Sequence, residues 1–96
     1  MKITDVLTPT MTKCDLAGGS KKRVLENLSV FMTEQLGGDS EQSDRLFHNL
    51  VARERLGSTG IGEGVAIPHC RVSGFKRIHA CLIKLQKPVE FDALDD

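Results

Sequence analysis

The chain has 96 residues, of which 40% are apolar and 27% are charged, a balance typical of one small globular domain. Its 13 basic and 13 acidic side chains cancel, so no overall charge attracts nucleic acid or an anionic membrane. No stretch reaches transmembrane length, no apolar secretion signal opens the chain, and three cysteines without CxxC spacing argue against a disulfide framework. We therefore expect a cytoplasmic protein with reduced thiols, whose function lies in a local site.

The first predicted elements are a short strand over 12–16 and a helix that follows it. Ser20 is a suitable N-cap, apolar side chains recur at helical spacing from Val24 to Leu36, and two glycines end the run. The apolar positions of this helix are Val24, Leu28, Phe31, Met32 and Leu36.

The first turn of this helix carries Lys21, Lys22 and Arg23. Positive charges at this end oppose the helix dipole, each at a cost of about 0.3–1 kcal/mol. Two interpretations stay open: three solvated side chains on a tolerant helix, or a basic rim that meets an acidic or phosphorylated partner.

The second predicted helix runs from Asp39 or Ser40 to Leu56 and ends at Gly57. The side chains expected to be buried on it are Leu46, Phe47, Leu50 and Val51.

Two charged residues lie on or beside the apolar stripe of this helix. At 100° per residue, Arg53 falls at the edge of the stripe and Glu54 falls near its centre, so both charges need partners. Arg53 is open to two interpretations. It is either a snorkelling or ion-paired side chain, or an arginine held at the helix C-terminus and aimed into a site.

Strands are predicted after a glycine-rich loop. The stretch VAIPH, residues 65–69, is short and β-branched, whereas an apolar run from Ile78 to Leu85 is typical of a buried strand. Such a run needs both faces covered and its backbone paired. We therefore expect the chain alone to be marginally stable, or to associate with another copy of itself or another segment.

The loop GSTGIGEG, residues 57–64, partly matches two nucleotide-binding motifs but lacks required features of each. Gly57 and Gly62 have P-loop spacing, but a glutamate and a glycine stand where lysine and a hydroxyl residue should follow. The dinucleotide fingerprint requires a preceding strand, whereas a helix precedes this loop. The loop is therefore either a plain turn or an anion-binding nest of backbone N–H groups. The residues of that nest are Ser58, Thr59, Gly60, Gly62 and Gly64.

His69 follows Pro68 at the end of the short strand. Pro68 fixes its own φ and pushes Ile67 into an extended conformation, so the imidazole leaves a stiff stretch of chain. A neutral imidazole has one ring nitrogen with a lone pair that can attack phosphorus. A structural histidine is the alternative.

One metal-binding set can be drawn from the sequence: His69, Cys70, His79 and Cys81. Adjacent strand residues face opposite sides, which disfavours a shared ion and also disfavours a Cys70 nucleophile with His69 as its base. We interpret His48 and His79 as structural, and we expect no metal and no cofactor.

The stretch ARERLGSTGIGEGVAIPHCR, residues 52–71, closely resembles the phosphorylation-site signature of one enzyme IIA family of the phosphoenolpyruvate-dependent phosphotransferase system. This is the family of fructose, mannitol and nitrogen-related type, and the resemblance is strongest to its nitrogen-regulatory branch. It extends over 1–96 and implies an α/β fold, a three-layer α/β/α domain with a mixed sheet. Relatives carry a further segment with another strand, more helices and a second active-site histidine. We therefore expect 1–96 to be the N-terminal two thirds of the type-2 IIA domain.

By this resemblance, His69 accepts a phosphoryl group from a phosphorylated HPr-like carrier, and Arg53 is the family's active-site arginine. Phosphoryl transfer needs an in-line nucleophile and fixed positive or N–H groups around the equatorial oxygens. The resemblance implies a regulatory phosphoryl carrier whose downstream partner is unknown. The alternatives are a partner-binding fragment that never carries phosphate and a IIA component that passes phosphate to a sugar IIB domain. Without the second histidine we expect poor phosphorylation.

Overall fold

The computed structural model describes residues 2–73 and 77–91. The helices are α1, Lys21–Gln35, and α2, Ser40–Leu56, and the strands are β1, Thr12–Leu16, β2, Gly60–Gly62, β3, Val65–Ala66, and β4, Leu82–Leu85. Two short 3-10 helices, Ile3–Asp5 and Pro9–Met11, precede β1. Within the described ranges, no helix is long and apolar enough to span a membrane.

Local capping sets the ends of both helices, as the sequence predicts. The hydroxyl of Ser20 accepts a hydrogen bond from the N–H of Arg23 at 3.2 Å. Asp39 and Gln42 form a reciprocal capping box, with each backbone N–H 2.9 Å from the other side chain. After α1, Gly37 has a φ of 76°, a left-handed conformation that favours glycine. Both predicted helices and the predicted strand over 12–16 are confirmed.

The two helices pack on each other around a small apolar core. Its buried members are Leu25, Leu50 and Val51, and the half-buried side chains against it are Leu28, Leu46, Phe47, Cys70 and Phe91. On α1 the buried positions are Lys21, Val24, Leu25, Ser29 and Thr33. Val24, at the start of the predicted apolar stripe, is therefore buried as expected, whereas Leu36 at its far end is exposed. Ser29 is tolerated inside because its hydroxyl donates to the Leu25 carbonyl at 2.8 Å.

The strands form two pairs of different sense. β1 and β4 pair in parallel, with Thr12 opposite Leu82, and both helices lie between these strands in the sequence. β2 and β3 pair antiparallel as a hairpin directly after α2. Two packed helices and a parallel strand pair confirm the predicted α/β class.

The prediction of a buried strand from Ile78 to Leu85 is wrong for the described residues. Only Leu82–Leu85 is a strand, and 62% of Ile78 and 58% of Leu82 are exposed. Within the described part of the chain, β1 is the one strand that pairs with β4, so the pairing that an apolar strand needs is met on one side. The expected association with another copy or another segment stays a prediction.

Candidate functional site

The glycine-rich loop forms a tight hairpin. The two residues between β2 and β3, Glu63 and Gly64, both have positive φ, 57° and 74°. Positive φ at both central positions is the type I′ pattern, whose twist matches that of the flanking strands. Of the predicted loop residues, Gly60 and Gly62 therefore lie in β2, and Gly64 lies in the turn.

The ring of His69 is exposed and is oriented by the backbone just before it. Its Nδ1 lies 2.9 Å from the carbonyl oxygen of Ile67. A carbonyl oxygen only accepts hydrogen bonds, so Nδ1 carries the proton in this contact, and in the neutral ring Nε2 keeps the lone pair. The nitrogen that can attack an electrophile is therefore Nε2.

Hydrogen bonds on both sides of His69 anchor the segment on which it lies. Before it, the N–H of Ile67 donates to the carbonyl of Thr59 at 3.0 Å and continues the hairpin pairing. After it, the side-chain amide of Asn49 on α2 donates to the carbonyl of Arg71 at 3.0 Å. The histidine is thus held between the hairpin and α2. Sequence reasoning missed Asn49, because its bond joins residues that are distant along the chain.

Cys70 and His69 have different surroundings, although the strand predicted over 65–69 ends at Ala66 and strand alternation does not reach these two residues. Cys70 packs against the helix core, whereas His69 is exposed. Burial raises the pKa of the Cys70 thiol, which makes it a poor nucleophile. Among residues 2–73 and 77–91, no three potential metal ligands come together.

Arg53 lies in the last turn of α2 and is half-buried. Its Nη1 donates to the carbonyl of Gly57 at 2.9 Å, so the guanidinium is held at the helix C-terminus. A positive charge is favourable at that end of a helix. This bond occupies one of five N–H donors, and a guanidinium fork can hold the oxygens of a phosphoryl group with the others. The residue that accepts this bond begins the glycine-rich loop.

Ser58 and Thr59 both bond within the protein. The hydroxyl of Ser58 donates to the carbonyl of Phe91 at 2.9 Å and accepts from the N–H of Gly60 at 3.1 Å. Thr59 is buried, and its N–H donates to Glu54 Oε1 at 3.0 Å while its hydroxyl donates to the same oxygen. A buried carboxylate thus engages both donors of Thr59, and its use as a phosphate ligand, which would require these bonds to break, stays a prediction.

Lys21 and Glu54 form a buried ion pair beside the loop. Only 3% of Lys21 and 4% of Glu54 are exposed, and Lys21 Nζ lies 2.6 Å from Glu54 Oε2. Lys21 also donates to the carbonyl of Phe91 and lies 4.7 Å from the centre of its ring. Burial raises the pKa of Glu54, but the hydrogen bonds from Lys21 and Thr59 outweigh burial and hold the pKa below its ordinary value.

Both interpretations of the basic first turn of α1 are wrong for Lys21. This side chain is neither solvated nor part of a rim, because its ammonium group pairs with Glu54. Lys22 and Arg23 are exposed as expected, and Arg23 pairs with Glu26 one turn along α1. The available sequence signal was Glu54, whose place near the centre of an apolar stripe required a partner.

His48 has a structural contact, in agreement with its interpretation from the sequence. Its Nδ1 lies 2.8 Å from the carbonyl of Asp44, four residues earlier on α2. His48 therefore holds its ring against its own helix, whereas His69 holds its ring against the carbonyl of Ile67, which directly follows β3.

Comparison with known proteins gives one consistent family. The family model described as "Phosphoenolpyruvate-dependent sugar phosphotransferase system, EIIA 2" matches residues 5–96. A nitrogen regulatory protein of Pseudomonas aeruginosa is 46% identical over 99% of this chain and 60% of its own length. One from Pseudomonas putida is 41% identical over 94% of this chain and 99% of its own length.

A solved structure agrees with these matches. The crystal structure of nitrogen regulatory protein IIA-Ntr from Neisseria meningitidis superposes with a TM-score of 0.80 and 40% identity. It covers 95% of this chain and 60% of that protein. The chain therefore spans about 60% of the length of the Pseudomonas aeruginosa relative and of the Neisseria meningitidis structure.

Proposed function

Because the chain belongs to the phosphoenolpyruvate-dependent sugar phosphotransferase system EIIA 2 family, we propose that it accepts a phosphoryl group on Nε2 of His69. The donor is a phosphorylated HPr-like carrier protein. The observation that carries the proposal is the hydrogen bond between Nδ1 of His69 and the carbonyl of Ile67. It keeps the proton on Nδ1 and leaves a lone pair on Nε2 of an exposed ring.

The reaction is an in-line displacement at phosphorus. The lone pair of Nε2 forms the new nitrogen–phosphorus bond while the bond between phosphorus and the carrier breaks, and the carrier keeps that electron pair. No proton has to leave Nε2, so the step needs no general base. Positive charge develops on the imidazole during attack, and the Ile67 carbonyl, which accepts from Nδ1, stabilises it.

Charge on the transferring phosphoryl group is met by Arg53 and by the backbone of the hairpin. The guanidinium is held at the start of the loop by its bond to Gly57. We assign the N–H group of Gly64, in the turn, to the phosphoryl oxygens, because Gly62 pairs with Val65 in the hairpin. Ser58 and Thr59 support the loop, because their hydroxyls donate to protein acceptors.

Of the roles that members of this family have, a regulatory one is best supported for this chain. The relatives at 46% and 41% identity are named nitrogen regulatory proteins, which supports the same role here. A phosphohistidine in the cytoplasm then acts as a charge signal that a partner reads. The alternative, transfer to a sugar IIB domain, agrees with the printed family description and predicts rapid loss of phosphate to such a domain.

The proposal is tested by phosphoryl uptake from radiolabelled phosphoenolpyruvate with the general enzyme of the system and an HPr-like carrier. We expect an acid-labile, alkali-stable label that disappears in His69→Ala. His48→Ala is the matched control and should take up label at the wild-type rate. Uptake by His69→Ala at that same rate would overturn the proposal and leave a partner-binding role.

A further inference from the structure

A continuous chain of polar contacts joins the buried ion pair to the ring of His69. Lys21 Nζ lies 2.6 Å from Glu54 Oε2, and the N–H of Thr59 lies 3.0 Å from Glu54 Oε1. The N–H of Ile67 lies 3.0 Å from the carbonyl of Thr59, and Nδ1 of His69 lies 2.9 Å from the carbonyl of Ile67. Four consecutive contacts therefore lead from the first turn of α1 to the imidazole.

We propose that Lys21, Glu54 and Thr59 are positioning residues for His69. Through this chain of contacts they keep the Ile67 carbonyl in place and so hold the ring in the tautomer that has its lone pair on Nε2. The consequence for phosphoryl uptake rests on the function proposed above, whereas the effect on the tautomer does not.

The ring needs such support because His69 itself is exposed. An exposed imidazole that lacks a fixed acceptor at Nδ1 exchanges between its two neutral tautomers, and only one of them presents a lone pair at Nε2. The Ile67 carbonyl selects that tautomer only while it stays within hydrogen-bond distance. Its position depends on the N–H of the same residue, which bonds to Thr59.

Two donor groups of Thr59 bond to the buried carboxylate of Glu54. Besides Lys21, Glu54 binds both the N–H and the hydroxyl of Thr59. Hydrogen bonds to a charged acceptor are stronger than neutral ones, and a buried charge pair is costly to separate. Thr59, which bonds to Ile67 just before β2, is therefore fixed to a buried carboxylate that is itself ion-paired.

Lys21 is also linked to the loop through a second residue, Phe91. Lys21 and the hydroxyl of Ser58 both donate to the carbonyl of Phe91, and the ring of Phe91 packs against the helix core. The pair thus bonds directly to Thr59 and is linked to Ser58 through the shared Phe91 carbonyl, in addition to joining α1 to α2. This connectivity is what a positioning role requires and what helix packing alone does not need.

The test compares two substitutions at Thr59. Thr59→Val removes the hydroxyl and keeps the branched shape and the N–H, whereas Thr59→Ser keeps the hydroxyl. Nitrogen NMR of the unphosphorylated protein reports the tautomer of each histidine. We expect the Nδ1-protonated form of His69 in the wild type and in Thr59→Ser, and a mixture of tautomers in Thr59→Val. The rate of phosphoryl uptake by Thr59→Val should fall about 2- to 10-fold, the change in rate that the loss of one hydrogen bond produces.

Two controls separate positioning from a loss of stability. His48 reports in the same spectrum, and its Nδ1 contact to Asp44 should not change. Thr33→Val makes the same substitution at a buried threonine of α1 and should leave the His69 tautomer as in the wild type. Should Thr59→Val fail to fold, the double variant Lys21→Met/Glu54→Gln removes both charges at similar volume. We then expect the mixture of His69 tautomers and the slower phosphoryl uptake in that variant.

A folded Thr59→Val protein with the wild-type tautomer at His69 would overturn the inference. A shifted tautomer with an unchanged uptake rate would overturn the claim that acceptance depends on this positioning. The same tautomer shift in Thr33→Val would also overturn it, because the effect would then follow from any buried change. Label uptake by His69→Ala would defeat the proposed function alone, since the tautomer measurement needs no phosphate.

Discussion

Nδ1 of His69 lies 2.9 Å from the carbonyl oxygen of Ile67, with Pro68 between the two residues. Because the proline fixes its own φ, the carbonyl and the ring are brought together by a short, stiff segment. This relationship determines which nitrogen of the imidazole is available. It makes the chemistry of the site depend on backbone position, and so on the contacts that hold the hairpin.

Arg53→Ala should slow phosphoryl uptake with little change in the affinity for the carrier. Loss of one electrostatic contact to a transition state costs about 2.7–4 kcal/mol of barrier, or about 10²–10³ in rate. The control is Arg55→Ala, which removes an exposed cation from the same turn of α2. Thermal unfolding of both variants is measured beside the rate. A folded Arg53→Ala protein slowed by less than about threefold would make Arg53 a helix-capping residue only.

Lys21→Ala should destabilise the protein far more than Lys22→Ala. Removing one partner of a buried ion pair leaves the other charge unpaired and costs about 3–5 kcal/mol. Lys22 is the neighbouring lysine on the same turn and is exposed. Chemical denaturation gives the free energy of unfolding of each variant. Equal losses in the two variants would contradict the buried pair.

Stability should fall in acid because of Glu54. Its pKa in the folded protein is lowered from 4.5, so its charged form is favoured by folding. This contribution is fully present above pH 4.5 and is lost as the pH falls through the lowered pKa. The double variant Lys21→Met/Glu54→Gln should lose part of this acid dependence. An identical pH profile of unfolding for wild type and double variant would count against the assignment.

The three thiols should react with iodoacetamide at different rates in mildly alkaline buffer. Burial raises the pKa of Cys81 to about 11 and also raises that of Cys70, so little thiolate forms at either residue. Cys14 is exposed on β1 and should be modified first. Mass spectrometry of the digested protein gives the order. Faster modification of Cys81 than of Cys14 would contradict the burial of Cys81.

Sequence reasoning predicts the elements that local signals control. The Ser20 cap, the helix that ends at Leu56 and the strand over 12–16 agree with the structure because capping and periodicity act over a few residues. The stiff approach to His69 is local as well, since Pro68 produces it. The roles of His69 and Arg53 came from the family signature, and they stay predictions.

The features that sequence reasoning missed depend on contacts between distant parts of the chain. The sequence around Lys21 indicates a surface cation, and only the fold shows that Glu54 on the other helix lies beside it. The hairpin strand Gly60–Gly62 carries little strand propensity, because its glycines indicate a turn. The Ile78–Leu85 run indicates burial, but periodicity cannot say what covers a strand.

The most direct test of the account is the position of the nitrogen–phosphorus bond. Nitrogen and phosphorus NMR on isotope-labelled, phosphorylated protein identify the histidine and the ring nitrogen that carry the group. The account predicts phosphate on Nε2 of His69, with the proton still on Nδ1 and bonded to Ile67. Phosphate on Nδ1 of His69, or on another side chain, would contradict it.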